Sequence, residues 1–183
     1  MNKLLIAVAL LLVPVVSFGS VLYIEPSLTG ETYMSILKKY SPETLRVSVD
    51  DTGKIYFKTS SGLGTTVHIN DDSRLQAIAE LKKAVKWCDK AKDQKLGDTI
   101  KELCAFGRPD KTNYLCFMFF SESEGDRTGV SIYLTDSDNI FKKGSIRFDT
   151  KDKIQNLLEV LEKVPASLIQ LKDNDKKAVD VLR

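Results

Sequence analysis

Tyr114-Leu115-Cys116-Phe117-Met118-Phe119-Phe120 is the most apolar run beyond the N-terminal segment, and its reading decides the fold. Seven residues rich in aromatics have the length and composition of a strand. Side chains alternate across a strand, so Leu115, Phe117 and Phe119 share one face and Tyr114, Cys116, Met118 and Phe120 the other. Both faces are apolar. The run is therefore expected to be a central strand that needs cover on two sides, with helices on the first. Whatever meets Tyr114, Cys116, Met118 and Phe120 is the candidate interaction face.

The flanking segments alternate differently. Val130, Ile132 and Leu134 form a one-sided strand, and Ser145 to Phe148 a short one. Leu45, Val47 and Val49 face a returning Ile55 and Phe57 across Asp50-Asp51-Thr52-Gly53, the residue types a tight hairpin demands. Val67-His68-Ile69 adds a short strand. Asn70-Asp71-Asp72-Ser73 is a helix start with acidic residues at the positive end of the dipole. The helix it opens runs to about Lys92, on a stripe of Leu75, Ile78, Leu81, Val85 and Cys88. Asp149-Thr150 caps another helix, with Ile154, Leu157, Leu158 and Leu161 inward, and Pro165 is expected to stop or kink it before a weak final helix over 166–183. Two more helices are expected. One covers 27–40, where Tyr33, Ile36, Leu37 and Tyr40 fall at helical spacing, with Thr29 or Gly30 as its cap. A short one covers 98–104, after Gly97.

Together these elements predict an α+β fold: an antiparallel sheet of about five to six strands with helices mainly on one face, a two-layer sandwich. A shift of 79 residues lays the strand, cap and helix from Val67 over those from Ile146, which suggests a βββα unit used twice.

The domain division is a signal peptide over 1–19 and a single domain over 20–183. Lys3 is followed by a thirteen-residue apolar run from Leu4 to Val16, and Ser17-Phe18-Gly19 supplies small residues for cleavage before Ser20. The protein is thus expected outside the cytoplasm, in the periplasm or secreted. Retained, the longer stretch Leu4 to Ile24, interrupted only by Pro14, Ser17, Gly19 and Ser20, would be an anchor.

With 27 basic and 25 acidic residues, the chain lacks the positive excess of a nucleic-acid binder. In an oxidising compartment its three cysteines invite one pairing. If the segments around Leu96-Gly97 folded back as two helices, Cys88 and Cys104, each eight residues from Leu96, would meet as a disulfide, leaving Cys116 a buried thiol.

No catalytic constellation stands out. His68 is the single histidine, too few for a site that needs two, and reads as a strand residue. Asp51-Thr52-Gly53 reads as a turn and not as half of a protease dyad. Gly62-Leu63-Gly64 lacks the third glycine of a dinucleotide loop. Asp136 and Asp138 open something like a calcium loop, but Ile140 and Arg147 stand where ligands belong. No metal or cofactor is expected. The leading reading is a small exported module that binds a protein or small-molecule ligand, or a second copy of itself, without catalysis. The alternatives are a small hydrolase using Glu122, Asp136 or Asp138, and a membrane-tethered accessory protein. No motif resembles that of a named family.

Overall fold

The computed structural model describes residues 20–35, 37–60, 65–109, 112–136 and 143–181. They form an α+β fold: one antiparallel sheet of eight strands and two helices. The strands are β1 (Val21–Met34), β2 (Lys39–Asp50), β3 (Ile55–Thr59), β4 (Thr66–Ile69), β5 (Thr99–Phe106), β6 (Tyr114–Glu122), β7 (Arg127–Thr135) and β8 (Lys143–Phe148), with α1 (Asp71–Asp93) after β4 and α2 (Lys151–Val181) after β8. Their order across the sheet is β4-β3-β2-β1-β8-β7-β6-β5. The architecture is a four-stranded meander followed by a helix, used twice, with the two meanders joined where β1 meets β8. The repeating unit therefore has four strands, one more than the sequence pattern suggested.

The difference lies in two segments. Residues 27–34 and 39–40 are not helical but belong to β1 and β2, in which Tyr33 pairs with Tyr40 across the strands. Their rings meet edge to face at 5.3 Å. Cross-strand pairing brought together the same two residues that helical spacing would have stacked two turns apart. Thr29, Thr32 and Tyr33 favour strands, and aromatic cross-strand pairs stabilise them further. Gly30 caps nothing. It sits where β1 crosses β8, and a Cβ there would collide with the Arg147 carbonyl and the Ile146 side chain. Likewise residues 99–106 form β5, which pairs along β6 with one irregularity between Glu102 and Cys104. A strand apolar on both faces needs a neighbour on each edge, and β5 is the second neighbour of β6.

One face of the sheet carries Leu45, Val47, Phe57, Leu115, Phe117, Val130, Ile132 and Ile146, all buried in a single core with Ala77, Leu81, Cys88, Ile154, Leu157 and Leu161 of the helices. Asn70 caps α1 as expected, its side chain accepting from the Ser73 N–H at 2.9 Å. Of the predicted α1 stripe, Ile78, Leu81 and Cys88 are buried and Leu75 is exposed; Arg74, Ala77, Ala84 and Ala91 are buried as well, which shifts the stripe toward their side.

The sheet also curls strongly. β3 is second and β6 seventh in the strand order, which would separate them by roughly 24 Å in a flat sheet at ~4.8 Å per strand. Yet the Phe57 and Phe117 rings meet at 6.2 Å. At the same end Asn113, just before β6, accepts from the His68 N–H at 2.6 Å and donates to the His68 carbonyl at 2.8 Å, so its amide acts as a strand neighbour for edge strand β4. His68 is thereby a strand residue, half-buried beside Tyr56.

Pro165 neither stops nor divides α2, which runs without interruption to Val181. Proline lacks the N–H that would bond the carbonyl four residues back. That carbonyl belongs to Leu161, and the buried Arg74 guanidinium of α1 donates to it at 3.1 Å. Arg74→Ala should therefore cost about 1.5–3 kcal/mol in urea unfolding, the range for a buried charged hydrogen bond. Pro165→Ala should recover part of that loss in the Arg74→Ala background, because alanine has the backbone donor that proline lacks. Strict additivity in this double-mutant cycle would refute the link.

The β2–β3 turn is held by Asp50. Its carboxylate accepts from the Thr52 N–H, the Thr52 hydroxyl, the Lys54 N–H and the Tyr56 hydroxyl, at 2.6 to 3.0 Å. Burial raises its pKa, but these bonds outweigh burial and hold it below the ordinary value. A depressed carboxylate contributes stability above its unfolded pKa and loses it as pH falls through the folded one. The melting-temperature difference between the wild type and Asp50→Asn should thus be largest at neutral pH and shrink below about pH 4. A pH-independent difference would contradict this.

Candidate functional site

The face of the sheet opposite the helices carries Tyr114, Cys116, Met118 and Phe120 of β6, as the alternation required. Phe120 is 3% and Cys116 2% exposed, although no helix lies over them. Their cover comes from side chains of neighbouring strands. Cys116 sits beside Glu102 of β5, its thiol 3.9 Å from the carboxylate. Phe120 lies under Arg147 of β8, whose guanidinium is 3.8 Å from the ring centroid. Gly129, the partner of Phe120 on β7, makes room for that ring, since a Cβ there would come within 2.8 Å of it.

Arg147 is the hub of this face. Its guanidinium also lies 4.9 Å from the Tyr40 ring centroid, donates to the Tyr40 hydroxyl, and pairs with Glu122 at 2.8 Å. Only 12% of its side chain is exposed. The planar guanidinium thus presents flat faces to two aromatic rings and edge donors to two oxygens, which an ammonium group cannot do. Around it, Arg127 lies 3.4 Å from Glu31, 3.9 Å from Glu122 and 3.7 Å from Asp149, and Lys153 pairs with Asp149 at 2.7 Å. Burial raises the Asp149 pKa, but Lys153 and then Arg127 bring it below the ordinary value.

Beside this hub lies a cleft of about 430 Å³. Tyr33 and Tyr40 of the β1–β2 hairpin form one wall. Tyr133 of β7 and Ile100 of β5 stand on the other side. Ser131 and Ser145 lie between, with Arg147, Phe120 and Glu122 at the base. Tyr33 is 52%, Tyr133 42% and Ile100 69% exposed. Of the four β6 residues picked out by alternation, only Phe120 lines this cleft. Tyr33, Tyr40, Tyr133 and Arg147 were not anticipated as site residues. Ser131 and Tyr133, alternating with Val130, Ile132 and Leu134, carried a signal for a polar and aromatic face, of which Tyr133 is exposed and Ser131 buried.

The remaining candidate residues are dispersed. Glu122 pairs across from Arg127, whereas Asp136 follows Thr135, which pairs with Tyr114 at the other end of the β6–β7 ladder. The eight-residue separation of Arg127 and Thr135 corresponds to roughly 27 Å along the strand, so Glu122 and Asp136 do not converge. Asp138 lies outside the described residues. All three cysteines are buried free thiols. The helix hairpin that would have paired Cys88 with Cys104 does not form, because Cys104 is on β5. Glu80 bears electrostatically on Cys104, whereas Cys88 has Thr128 and Lys151 around it. Cys104 pairs with Phe117, whose β7 partner is Ile132, four residues and roughly 13 Å along that strand from the Thr128 that Cys88 meets, beyond the ~7 Å limit between bridged Cα atoms. Burial raises all three thiol pKa values, that of Cys104 to about 12, which leaves them without nucleophilic character at neutral pH.

The Arg147 geometry makes a direct prediction. Arg147→Ala should destabilise by about 1–3 kcal/mol through lost stacking and the uncovered Phe120 ring, and Arg147→Lys should recover less than half of that loss, measured by urea midpoints. Full rescue by lysine would mean that charge alone matters. Comparison of the chain with protein-family models, with curated proteins and with solved structures finds no match.

Proposed function

We propose that the protein is an exported, non-catalytic binding module that takes its ligand in the cleft on the open face of the sheet. The observation that carries this reading is the cleft itself: a concavity of about 430 Å³, within the ~300–1,000 Å³ range of ligand sites, walled by exposed tyrosines on a face without a helix layer. Aromatic and apolar side chains left half in water are unfavourable in the free protein, and burying them against a ligand recovers that cost. The base is rigid, because Arg147 is fixed by two rings and two oxygens. The site would then be largely preformed, which lowers the ordering cost of binding.

Export is supported by the apolar run Leu4–Val16 followed by Ser17-Phe18-Gly19. If that run is retained, the domain is tethered at a membrane surface; the intact mass of the processed protein distinguishes the two.

The site is tested by thermal shift against a panel of neutral oligosaccharides, acidic oligosaccharides, short peptides and dicarboxylic acids. A ligand at a hundred times its Kd stabilises by about 2.7 kcal/mol. Any compound that raises the melting temperature should lose its effect in Tyr33→Ala/Tyr133→Ala and keep it in Lys101→Ala, on the far side of the β5 edge. Stabilisation that ignores the tyrosines, or a panel without a single stabilising compound, would remove the proposal.

A further inference from the structure

Resting on that reading of the open face, we propose that the cleft ligand is a neutral saccharide. Three observations narrow the chemistry to this class.

The first is charge. The ion pairs around the cleft comprise three cations, Arg127, Arg147 and Lys153, and three anions, Glu31, Glu122 and Asp149, so their sum is 3 − 3 = 0. An acidic ligand would have to take Arg147 from Glu122, and a basic one would have to take Glu122 from Arg147. Either leaves a half-buried charge unpaired, which is costly. A neutral ligand disturbs none of these pairs.

The second is the mixture of polar groups. The Tyr33 and Tyr133 hydroxyls can both donate and accept, the Tyr40 hydroxyl accepts from Arg147 and keeps its own proton to donate, Ser145 shares its hydroxyl with Thr32, Ser131 is buried, and the Glu122 carboxylate offers acceptor positions beyond the one used by Arg147. Such a set matches a ligand whose groups also do both, as sugar hydroxyls do. A peptide backbone would instead ask for a row of donors and acceptors from a free strand edge, whereas β7 and β6 under the cleft are paired along both sides, β8 along β7 and at Glu31–Arg147 to β1, and the sheet edge nearest the cleft is β5.

The third is shape. Tyr33 and Tyr133 stand on β1 and β7, the two strands flanking β8, which places their backbones roughly 10 Å apart at ~4.8 Å per strand. Small Ser145 lies on the strand between them, opposite Tyr133. Two aromatic side chains with a serine floor between them form a slot for a flat ring with apolar C–H faces and a polar rim. A protein partner would need on the order of 800 Å² of matching surface on each side, whereas this slot has the size of a small ligand.

The test is isothermal titration of the full folded domain with maltotriose and tri-N-acetylchitotriose, alongside trigalacturonate and a neutral hexapeptide. The expected result is binding of at least one neutral trisaccharide, weakened tenfold or more by Tyr33→Ala or by Tyr133→Ala. Ser145→Tyr should abolish it by filling the floor, while Tyr133→Phe should keep most of it. Trp87, packed on Phe119 on the opposite face, reports by fluorescence that each variant is folded. With the same tyrosine dependence, binding of the peptide alone would overturn the saccharide class and binding of trigalacturonate alone would overturn the neutral ligand, either one leaving the open face as a binding surface. Saccharide binding that ignores Tyr33, Tyr133 and Ser145 would overturn the site. No binding by any of the four would overturn the proposal, and the thermal-shift panel then decides whether the open face binds anything else.

Discussion

Two helices cannot dry both faces of an eight-stranded sheet, and most of this structure follows from that shortage. Both helices go to one face. The two ends of the sheet, β4-β3 and β6-β5, curl toward each other until Phe57 and Phe117 touch, so the sheet completes that core from its own strands. Among the described residues the opposite face receives no helix, yet β6 is apolar there too. Its driest residue pair, Cys116 and Phe120, is covered by long polar side chains, above all by Arg147. Guanidinium is suited to this task because it is weakly hydrated and flat, so it can lie on an aromatic ring while its edge stays bonded to Glu122 and Tyr40.

The helix layer contains its own exchange of partners. Pro165 deprives Leu161 of a backbone donor inside α2, and Arg74 of α1 supplies one. The bond ties α1 to α2 at a buried point and explains why a positive side chain occupies the apolar stripe of α1. It also lets α2 continue past the proline to Ser20, whose hydroxyl donates to Asp175 at 2.6 Å. A carbonyl orphaned in α2 and an arginine buried in α1 account for each other, with Asp71 of α1 holding the other edge of the guanidinium at 2.7 Å.

That same non-locality marks where the sequence was legible and where it was not. Elements specified by local chemistry could be read: the Asn70 cap, the Asp50 to Gly53 turn, the alternation of β7, the two-sided strand β6. The segments misread as helices, 27–40 and 98–104, contain the second half of β1 with the start of β2, and most of β5: each holds much of the opening strand of a meander. Spacing of Tyr33, Ile36, Leu37 and Tyr40 fits a helix as well as a hairpin, and only the presence of β8 beside β1 and of β6 beside β5 decides between them. The error carried into the cysteines, since a disulfide argued from a helix hairpin disappears when one helix becomes a strand. It carried into the site as well. Tyr33 and Tyr40, assigned to one helix face, are a cross-strand pair forming a wall of the cleft.

The position of the cleft follows from residue size once the registers are known. Along the open face, β6 carries large side chains throughout, but its neighbours do not. Near Cys116 the space is taken by Tyr114 and Glu102. Toward Phe120 the adjoining strands present Gly129, Ser131 and Ser145. Small residues beside large ones leave a hollow, and Arg147 fills only its base. A sequence selected solely for a dry, stable sheet would gain by enlarging Ser131 or Ser145 and by replacing the half-exposed Tyr33, Tyr133 and Ile100 with charged groups. The chain does neither. It keeps a hollow bordered by wet aromatic rings over a base fixed by a six-membered charge network, a combination that stability alone does not call for and that binding does.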